Sequence, residues 1–296
     1  MFTGLSAFPL TPMNEINVNE QEFVGLIKRL TSAKVDSIGI LGSTGSYAYL
    51  SLEERMKVAS LAVEHAEETP IIIGIGSLRT KDVLRLAENS EKIGATAVLL
   101  APISYQPLTE SEVYNLFQTV NNSISLPICV YDNPGTTHFK FSDDLLGRIS
   151  HLNNVKSIKI PPVSSSLKAA QDRINKLRSL IANDVTIGIS GDASAATGLI
   201  AGCDLWYSVI GGLFPNTALR LVEFAKQGKN DIALEYSKNL EALWNLFVKY
   251  GSLRVIAAAA EIDKLASFPS LPLPLQSLQG EDRKLLAGLI ELLDLY

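Results

Sequence analysis

Cysteine and histidine are both scarce in this 296-residue chain. The two cysteines, Cys129 and Cys203, lie in apolar runs with no CxxC partner, which favours buried free thiols over a disulfide or a zinc site. Unpaired thiols indicate a reducing compartment and therefore a cytoplasmic protein. The three histidines, His65, His138 and His151, are scattered without metal-ligand spacing, so we expect no metal site.

A basic excess and a long apolar run are missing as well. The formal net charge is −5, and Lys and Arg are spread along the chain, so nucleic acid is not an expected partner. No uninterrupted run of about 18 apolar residues occurs, and the first ten residues lack the basic start and apolar core of a signal peptide. We therefore expect neither a membrane span nor secretion.

The chain instead shows a regular alternation of short and long segments. A short β-rich apolar run ends in Gly, Pro, Ser, Thr or Asp, and a longer amphipathic stretch follows it. The predicted strands are SAFPL, SIGIL, PIIIGI, AVLLA, PICVYD, VKSIKI, VTIGIS and LWYSVI. Helices are predicted to begin near Asn19, Ser51, Thr80, Thr109, Ser142, Ser164, Ser194 and Pro215.

This alternation predicts an α/β fold, a (β/α)₈ TIM barrel over residues 1–228. An open doubly wound sheet is the main alternative, but no GxGxxG motif follows the first strand. Residues 229–296 are predicted to form a helical extension packed on the barrel. Its helical stretches are DIALEYSKNLEALWNLFVKY, LRVIAAAAEI and, after the loop FPSLPLPLQ, EDRKLLAGLIELL.

The sixth predicted strand, VKSIKI, carries a lysine near its end. In a barrel the functional groups gather at the carboxyl ends of the strands. If Ile158 and Ile160 cover the face that packs on helices, alternation points Lys159 into the barrel and leaves Lys156 outside near the opposite end. A buried neutral amine can attack a carbonyl and form a Schiff base. From position alone, an ion-paired lysine or one that reaches solvent is an equally good interpretation.

Two further segments end at the same predicted edge. The fifth strand ends in VYDNPGTT, where Tyr131 lies one strand from Lys159 and could protonate a carbinolamine or an aldol oxygen, although a buried tyrosine is more often structural. The second strand runs into LGSTGS (residues 41–46), a turn whose N–H groups and hydroxyls could hold a carboxylate.

The Gly-rich stretch at 73–77 is interpreted as structural, with glycine where neighbouring groups come close.

Taken in order, the segments FPLTP, GSTGS, GIGS, VYDNP, SIKIPP and SGD (190–192) resemble the dihydrodipicolinate synthase/N-acetylneuraminate lyase family of class I aldolases over essentially the whole chain. The resemblance favours Schiff-base chemistry at Lys159 over a structural lysine. It implies a 2-oxo acid such as pyruvate and an aldehyde as substrates, no metal or organic cofactor, and a homodimer or homotetramer.

The resemblance also assigns roles to individual positions. Lys159 resembles the lysine that forms the imine, and Tyr131 resembles the tyrosine that relays protons. Ser43 and Thr44 resemble the pair that holds the carboxylate of the 2-oxo acid. Gly191 and Tyr207 fall where the family lines the floor of the pocket.

Several positions depart from the family pattern. Thr136 stands where synthases have an arginine that grips the carboxylate of the aldehyde substrate. Ser104 replaces a tyrosine that reaches into the neighbouring subunit's site, and Tyr105 could serve from one position further on. Ser46 replaces a glutamate, and Ile160 replaces an acidic residue. The half of the site that handles the 2-oxo acid is therefore expected to be intact, while the half that selects the aldehyde is altered.

Three hypotheses follow. The leading one is a lyase or aldolase that forms or cleaves a carbon–carbon bond next to a 2-oxo acid through an imine on Lys159. The second is the family's synthase reaction, 4-hydroxy-tetrahydrodipicolinate formation from pyruvate and aspartate semialdehyde in lysine biosynthesis, with a rebuilt aldehyde site to which His138 could contribute. The third is a barrel that binds a 2-oxo acid without turnover, against which the intact Lys159 and Tyr131 argue.

Overall fold

Eight parallel strands form a closed barrel in the computed structural model, which describes residues 2–295. Each strand is hydrogen-bonded to the next along the chain, and β8 closes the ring by pairing with β1. Closure leaves the barrel sheet without a free edge. The strands are β1 Gly4–Ala7, β2 Ser37–Ile40, β3 Ile71–Gly74, β4 Ala97–Leu100, β5 Ile128–Tyr131, β6 Val155–Ile160, β7 Thr186–Ile189 and β8 Leu205–Ser208. The (β/α)₈ prediction is confirmed.

Helices connect the strands and cover the outside of the barrel. The helices of the barrel are α1 Glu20–Ser32, α2 Leu52–His65, α3 Thr80–Lys92, α4 Glu110–Asn121, α5 Pro134–Thr137, α6 Asp143–Ser150, α7 Leu167–Arg178, α8 Ala195–Ile200 and α9 Pro215–Lys226. They are followed by α10 Asn230–Asn239, α11 Glu241–Tyr250, α12 Ser252–Ile262 and α13 Gly280–Leu292. Within residues 2–295, none of these helices combines the length and apolar character that crossing a membrane requires.

The helix starts follow the capping residues in the sequence. Ser51 and Glu54 form a capping box, in which each side chain bonds the other residue's backbone N–H, and Thr109 begins α4 in the same way. The start predicted near Ser164 is too early, because Ser166 is the residue whose side chain caps α7.

The two faces of the strands bury different sets of side chains. On β5, Ile128 and Val130 belong to the core shared with the helices. Cys129 and Tyr131 point the other way and belong to a separate cluster inside the barrel, composed of Phe2, Phe8, Ile72, Ala97, Leu99, Ala101, Cys129, Tyr131, Leu205 and Tyr207. Both cysteines are buried and free, as the sequence predicts.

The helical extension differs from the prediction at one point. The stretch from 231 to 250, predicted as one helix, is two helices that meet at Leu240. There the Leu240 N–H bonds the Ser237 carbonyl in a tight turn, and the same carbonyl accepts the indole N–H of Trp244. The boundary at residue 228 between barrel and extension stays a prediction.

Candidate active site

Lys159 lies near the carboxyl end of β6, and its side chain is surrounded by aromatic rings. Its Nζ atom is 3.9 Å from the ring centroid of Phe8, 4.3 Å from that of Tyr131 and 5.4 Å from that of Tyr207. The residue is only 5% exposed. Among residues 2–295, no carboxylate lies within 4.0 Å of Nζ, since Lys159 takes part in none of the ion pairs there. The geometry therefore fits neither an ion-paired lysine nor one that reaches solvent.

Lys156, on the same strand, provides the contrast. Its ammonium forms an ion pair of 2.6 Å with Asp184, and its side chain is 38% exposed. The alternation expected from the sequence, with Lys159 inside and Lys156 outside, is thus observed.

The hydroxyl of Tyr131 belongs to a triangle of polar atoms beside Lys159. Its oxygen is 3.3 Å from Ser43 Oγ and accepts a hydrogen bond of 2.8 Å from Asn133 Nδ2. Asn133 Nδ2 also reaches Ser43 Oγ at 3.4 Å. The predicted Tyr131 and Ser43 are therefore brought together, and Asn133 is a third member that the sequence analysis missed. Continuing the strand alternation two residues past Tyr131 would have placed Asn133 on the same face.

The turn after β2 presents backbone donors to this region. Thr44 is 5% exposed, and in the part of the chain that the structure describes, the N–H groups of Ser43 and Thr44 donate to no protein acceptor. Gly45 is required by space, because a Cβ there would lie 2.8 Å from the backbone nitrogen of Leu41. Adjacent free N–H groups next to hydroxyls can bind a carboxylate.

A buried arginine that the sequence analysis missed binds the chain at the end of β3. The Arg55 guanidinium donates to the carbonyls of Gly74 and Gly76, both at 2.9 Å, and lies over the Tyr47 ring. Burial lowers the pKa of Arg55 to about 10 and raises that of Tyr47. A Cβ at Gly74 would overlap the carbonyl oxygen of Leu41, which agrees with the structural interpretation of residues 73–77.

Tyr207 closes the barrel beneath Lys159. Its hydroxyl bonds Ser157 Oγ at 2.7 Å and the Cys129 thiol at 3.1 Å. Burial raises the pKa of Tyr207 well above its usual value and raises that of Cys129 to about 11, so both groups are neutral near pH 7. Tyr207, Ser157 and Cys129 thus form a neutral, hydrogen-bonded cluster near Lys159, and the role of Tyr207 in lining a substrate pocket stays a prediction.

The loops after β7 and β8 are tied together by Asp192. Its carboxylate accepts the indole N–H of Trp206 and the backbone N–H groups of Val209 and Ile210. Burial raises the pKa of Asp192 to about 6, although these donors and the charge of Lys159 oppose the shift. The preceding Gly191 has φ +82°, and a Cβ there would lie 2.4 Å from the Pro162 ring. A residue with a side chain is therefore disfavoured at position 191.

Three residues that the sequence analysis considered for the substrate are exposed in the segments that follow β4 and β5. Thr136 is exposed on α5, where its hydroxyl is 3.5 Å from the Asn133 carbonyl. His138 is exposed at the end of the same helix. Tyr105 is 90% exposed in the loop after β4. Their roles stay predictions.

Within residues 2–295, no group of three or more His, Cys, Asp or Glu side chains is placed to hold a metal ion. The arrangement that is present, a buried lysine without an ion pair next to a hydrogen-bonded phenol at the end of a (β/α)₈ barrel, is typical of a class I aldolase-type lyase.

Comparison with known proteins gives the family. The model of the Dihydrodipicolinate synthetase family matches residues 1–292. A 4-hydroxy-tetrahydrodipicolinate synthase of Rickettsia rickettsii is 30% identical over 263 residues, which cover 88% of this chain and 87% of the relative. The solved structure of a dihydrodipicolinate synthase from Agrobacterium tumefaciens is 41% identical, with a TM-score of 0.95 over 99% of this chain and 98% of that chain. A putative dihydrodipicolinate synthetase from Pseudomonas aeruginosa is 28% identical, with a TM-score of 0.91 over 99% and 100%.

The chain therefore belongs to the dihydrodipicolinate synthetase family. Enzymes of this family are class I aldolase-type lyases that use pyruvate and an aldehyde, and this chain is a lyase of that class.

Proposed function

We propose that Lys159 forms the imine through which the enzyme makes or cleaves a carbon–carbon bond next to a 2-oxo acid such as pyruvate. The observation that carries the proposal is the position of Nζ, buried among three aromatic rings and without an ion pair in the described chain. An amine held in this way can approach a carbonyl carbon without first leaving a carboxylate partner.

The reaction begins when the amine of Lys159 attacks the C2 carbonyl, and loss of water from the carbinolamine gives the protonated imine. The imine withdraws electrons, so a proton leaves C3 and an enamine forms. The enamine carbon attacks the aldehyde carbon, and water then hydrolyses the new imine, which releases product and restores the lysine. Cleavage is the reverse sequence. Because the protonated imine accepts the electrons, the proposed steps need no further electron acceptor.

The surrounding residues have separate tasks in this scheme. Tyr131 gives a proton to the departing carbinolamine oxygen and to the aldehyde oxygen and takes one from C3, which is general acid and base catalysis. Ser43 and Thr44 hold the substrate carboxylate with N–H groups and hydroxyls. The faces of the Phe8 and Tyr207 rings attract the positive charge of the imine.

The exchange of the methyl hydrogens of pyruvate with solvent deuterium, followed by NMR, tests this proposal without knowledge of the aldehyde. We expect the wild-type enzyme to catalyse exchange and Lys159→Ala to abolish it. Lys156→Ala is the matched control on the same strand and should exchange at the wild-type rate, since Lys156 lies outside the barrel. Wild-type exchange by Lys159→Ala would refute the proposal.

A second candidate, the synthase reaction with aspartate semialdehyde, is favoured by the name of the curated relatives. Thr136 weakens it, because a threonine cannot form the charged pair with a carboxylate that arginine forms. We expect little turnover of this aldehyde by the wild-type enzyme and an increase of about ten- to a hundredfold in Thr136→Arg, with pyruvate exchange unchanged. Efficient turnover by the wild-type enzyme would instead assign the synthase reaction to this chain.

Assembly into a cytoplasmic homodimer or homotetramer is part of the same proposal. The family resemblance is what supports this part. Sedimentation velocity at micromolar concentration should give the mass of two or four chains. The mass of a single chain would reject this part of the proposal.

A further inference from the structure

Asn133 makes the shortest hydrogen bond to the hydroxyl of Tyr131, at 2.8 Å, and none of the roles above includes it. We infer that Asn133 is a positioning residue for Tyr131: its side-chain amide donates to the phenol oxygen and fixes it, and it does not take up the phenol proton. The inference rests on the proposed function, because it concerns the proton transfers assigned to Tyr131.

The backbone fixes Asn133 firmly enough for this task. The Asp132 N–H donates to the Lys159 carbonyl at 3.0 Å, which extends the β5–β6 pairing one residue beyond the strand. Asn133 then precedes α5, and its carbonyl accepts the N–H groups of Thr136 and Thr137, both at 3.0 Å. Alternation along the chain turns Asp132 outward and Asn133 back toward Tyr131.

The hydrogen-bonding capacity of the phenol shows what this contact achieves. A tyrosine hydroxyl can donate once and accept twice. Asn133 Nδ2 occupies one accepting position, and Ser43 Oγ takes another position at 3.3 Å. One hydrogen-bonding position is therefore left for the substrate, and its direction is set by the other two.

The direction of the Asn133 bond also matters. An amide N–H can only donate, so Tyr131 does not direct its own proton toward Asn133. A donor aimed at the phenol oxygen stabilises the negative charge that develops there when Tyr131 gives up its proton. Both partners, Asn133 and Ser43, come from the same chain as Tyr131, so this network needs no residue from a second subunit.

Two substitutions separate the donor from the shape of the side chain. Asn133→Ala removes the amide, whereas Asn133→Asp keeps the shape but offers only acceptors, which would bind the phenol proton. Asn115→Ala and Asn115→Asp, at an exposed position of α4, are the matched controls. For each protein, pyruvate deuterium exchange and the final extent of borohydride trapping at Lys159 are measured.

We expect both Asn133 variants to reach the wild-type extent of trapping, since imine formation at equilibrium depends on Lys159. Exchange should fall about tenfold in Asn133→Ala, as the loss of one positioning hydrogen bond predicts, and at least as far in Asn133→Asp. The Asn115 variants should match the wild type in both measurements. A merely structural role predicts that the isosteric Asp variant stays closer to the wild type than the Ala variant.

Three results would overturn the inference: unchanged exchange in Asn133→Ala, wild-type or faster exchange in Asn133→Asp, or a loss of trapping in both variants equal to the loss of exchange. If the wild-type enzyme itself neither exchanges nor is trapped with any 2-oxo acid, the proposed function fails, and the inference fails with it. Wild-type exchange together with unaffected Asn133 variants would reject the inference alone.

Discussion

Tyr131 and Lys159 are register partners on adjacent strands, and the Lys159 Nζ atom lies 4.3 Å from the centroid of the Tyr131 ring. Both side chains point into the barrel from the carboxyl ends of β5 and β6. The pairing of β5 with β6 thus places a proton donor and acceptor beside a primary amine, and Asn133 and Ser43 then hold the phenol oxygen.

This pairing predicts the behaviour of Tyr131→Phe. The ring and its packing remain, but the group that transfers protons is lost, so pyruvate exchange should slow about a hundredfold or more. The thermal midpoint should change little compared with that loss. Near-normal exchange by a folded Tyr131→Phe variant would show that another group moves the protons.

Arg55 should matter for stability because its buried guanidinium satisfies two carbonyls at the end of β3. Arg55→Met preserves the apolar stem but leaves these carbonyls without their donor, so we expect a loss of about 2 kcal/mol or more in the free energy of unfolding. Arg85→Met is the control, because its ion pair with Glu53 is exposed and should contribute less than about 1 kcal/mol. Denaturant unfolding measures both, and equal losses would contradict the role given to Arg55.

Asp192 should give the stability a specific pH dependence. Its folded-state pKa of about 6 lies above the ordinary 3.8, so the folded state binds the proton more tightly than the unfolded state. Its contribution to stability is therefore fully present below about pH 3.8 and is lost as the pH rises through about 6. The substitution Asp192→Asn replaces this carboxyl with an amide that cannot titrate.

We therefore expect the unfolding free energy of the wild type minus that of Asp192→Asn to fall by a few kcal/mol between pH 4 and pH 7. Taking the difference removes the contributions of carboxylates that are common to both proteins. A difference that is flat or rises over this range would contradict the raised pKa.

Much of this site follows from local sequence rules. Alternation along VKSIKI and PICVYD is enough to place Lys159 and Tyr131 on the inner face, because every second residue of a strand points the same way. The turn at 41–46 is recognisable from its glycines. These features depend on the conformation of a few neighbouring residues, which the residue types in that segment are enough to predict.

Asn133 and Arg55 were missed for a different physical reason. Asn133 lies two residues beyond the end of β5, and the alternation of side chains was applied only within the predicted strand. Arg55 is on α2, a helix where an arginine is ordinarily exposed, and only the packing of α2 against β3 brings its guanidinium to Gly74 and Gly76. Contacts between elements that are distant in the chain have no local signature.

The central claim is that Lys159 is the amine that forms the imine. The most direct measurement is to treat the enzyme with pyruvate and borohydride, and then to locate the reduced adduct by mass spectrometry of the intact chain and its peptides. We predict one adduct per chain, on the peptide that contains Lys159, and none in Lys159→Ala. An adduct on another lysine, or none with any 2-oxo acid in a protein shown to be folded, would contradict the claim.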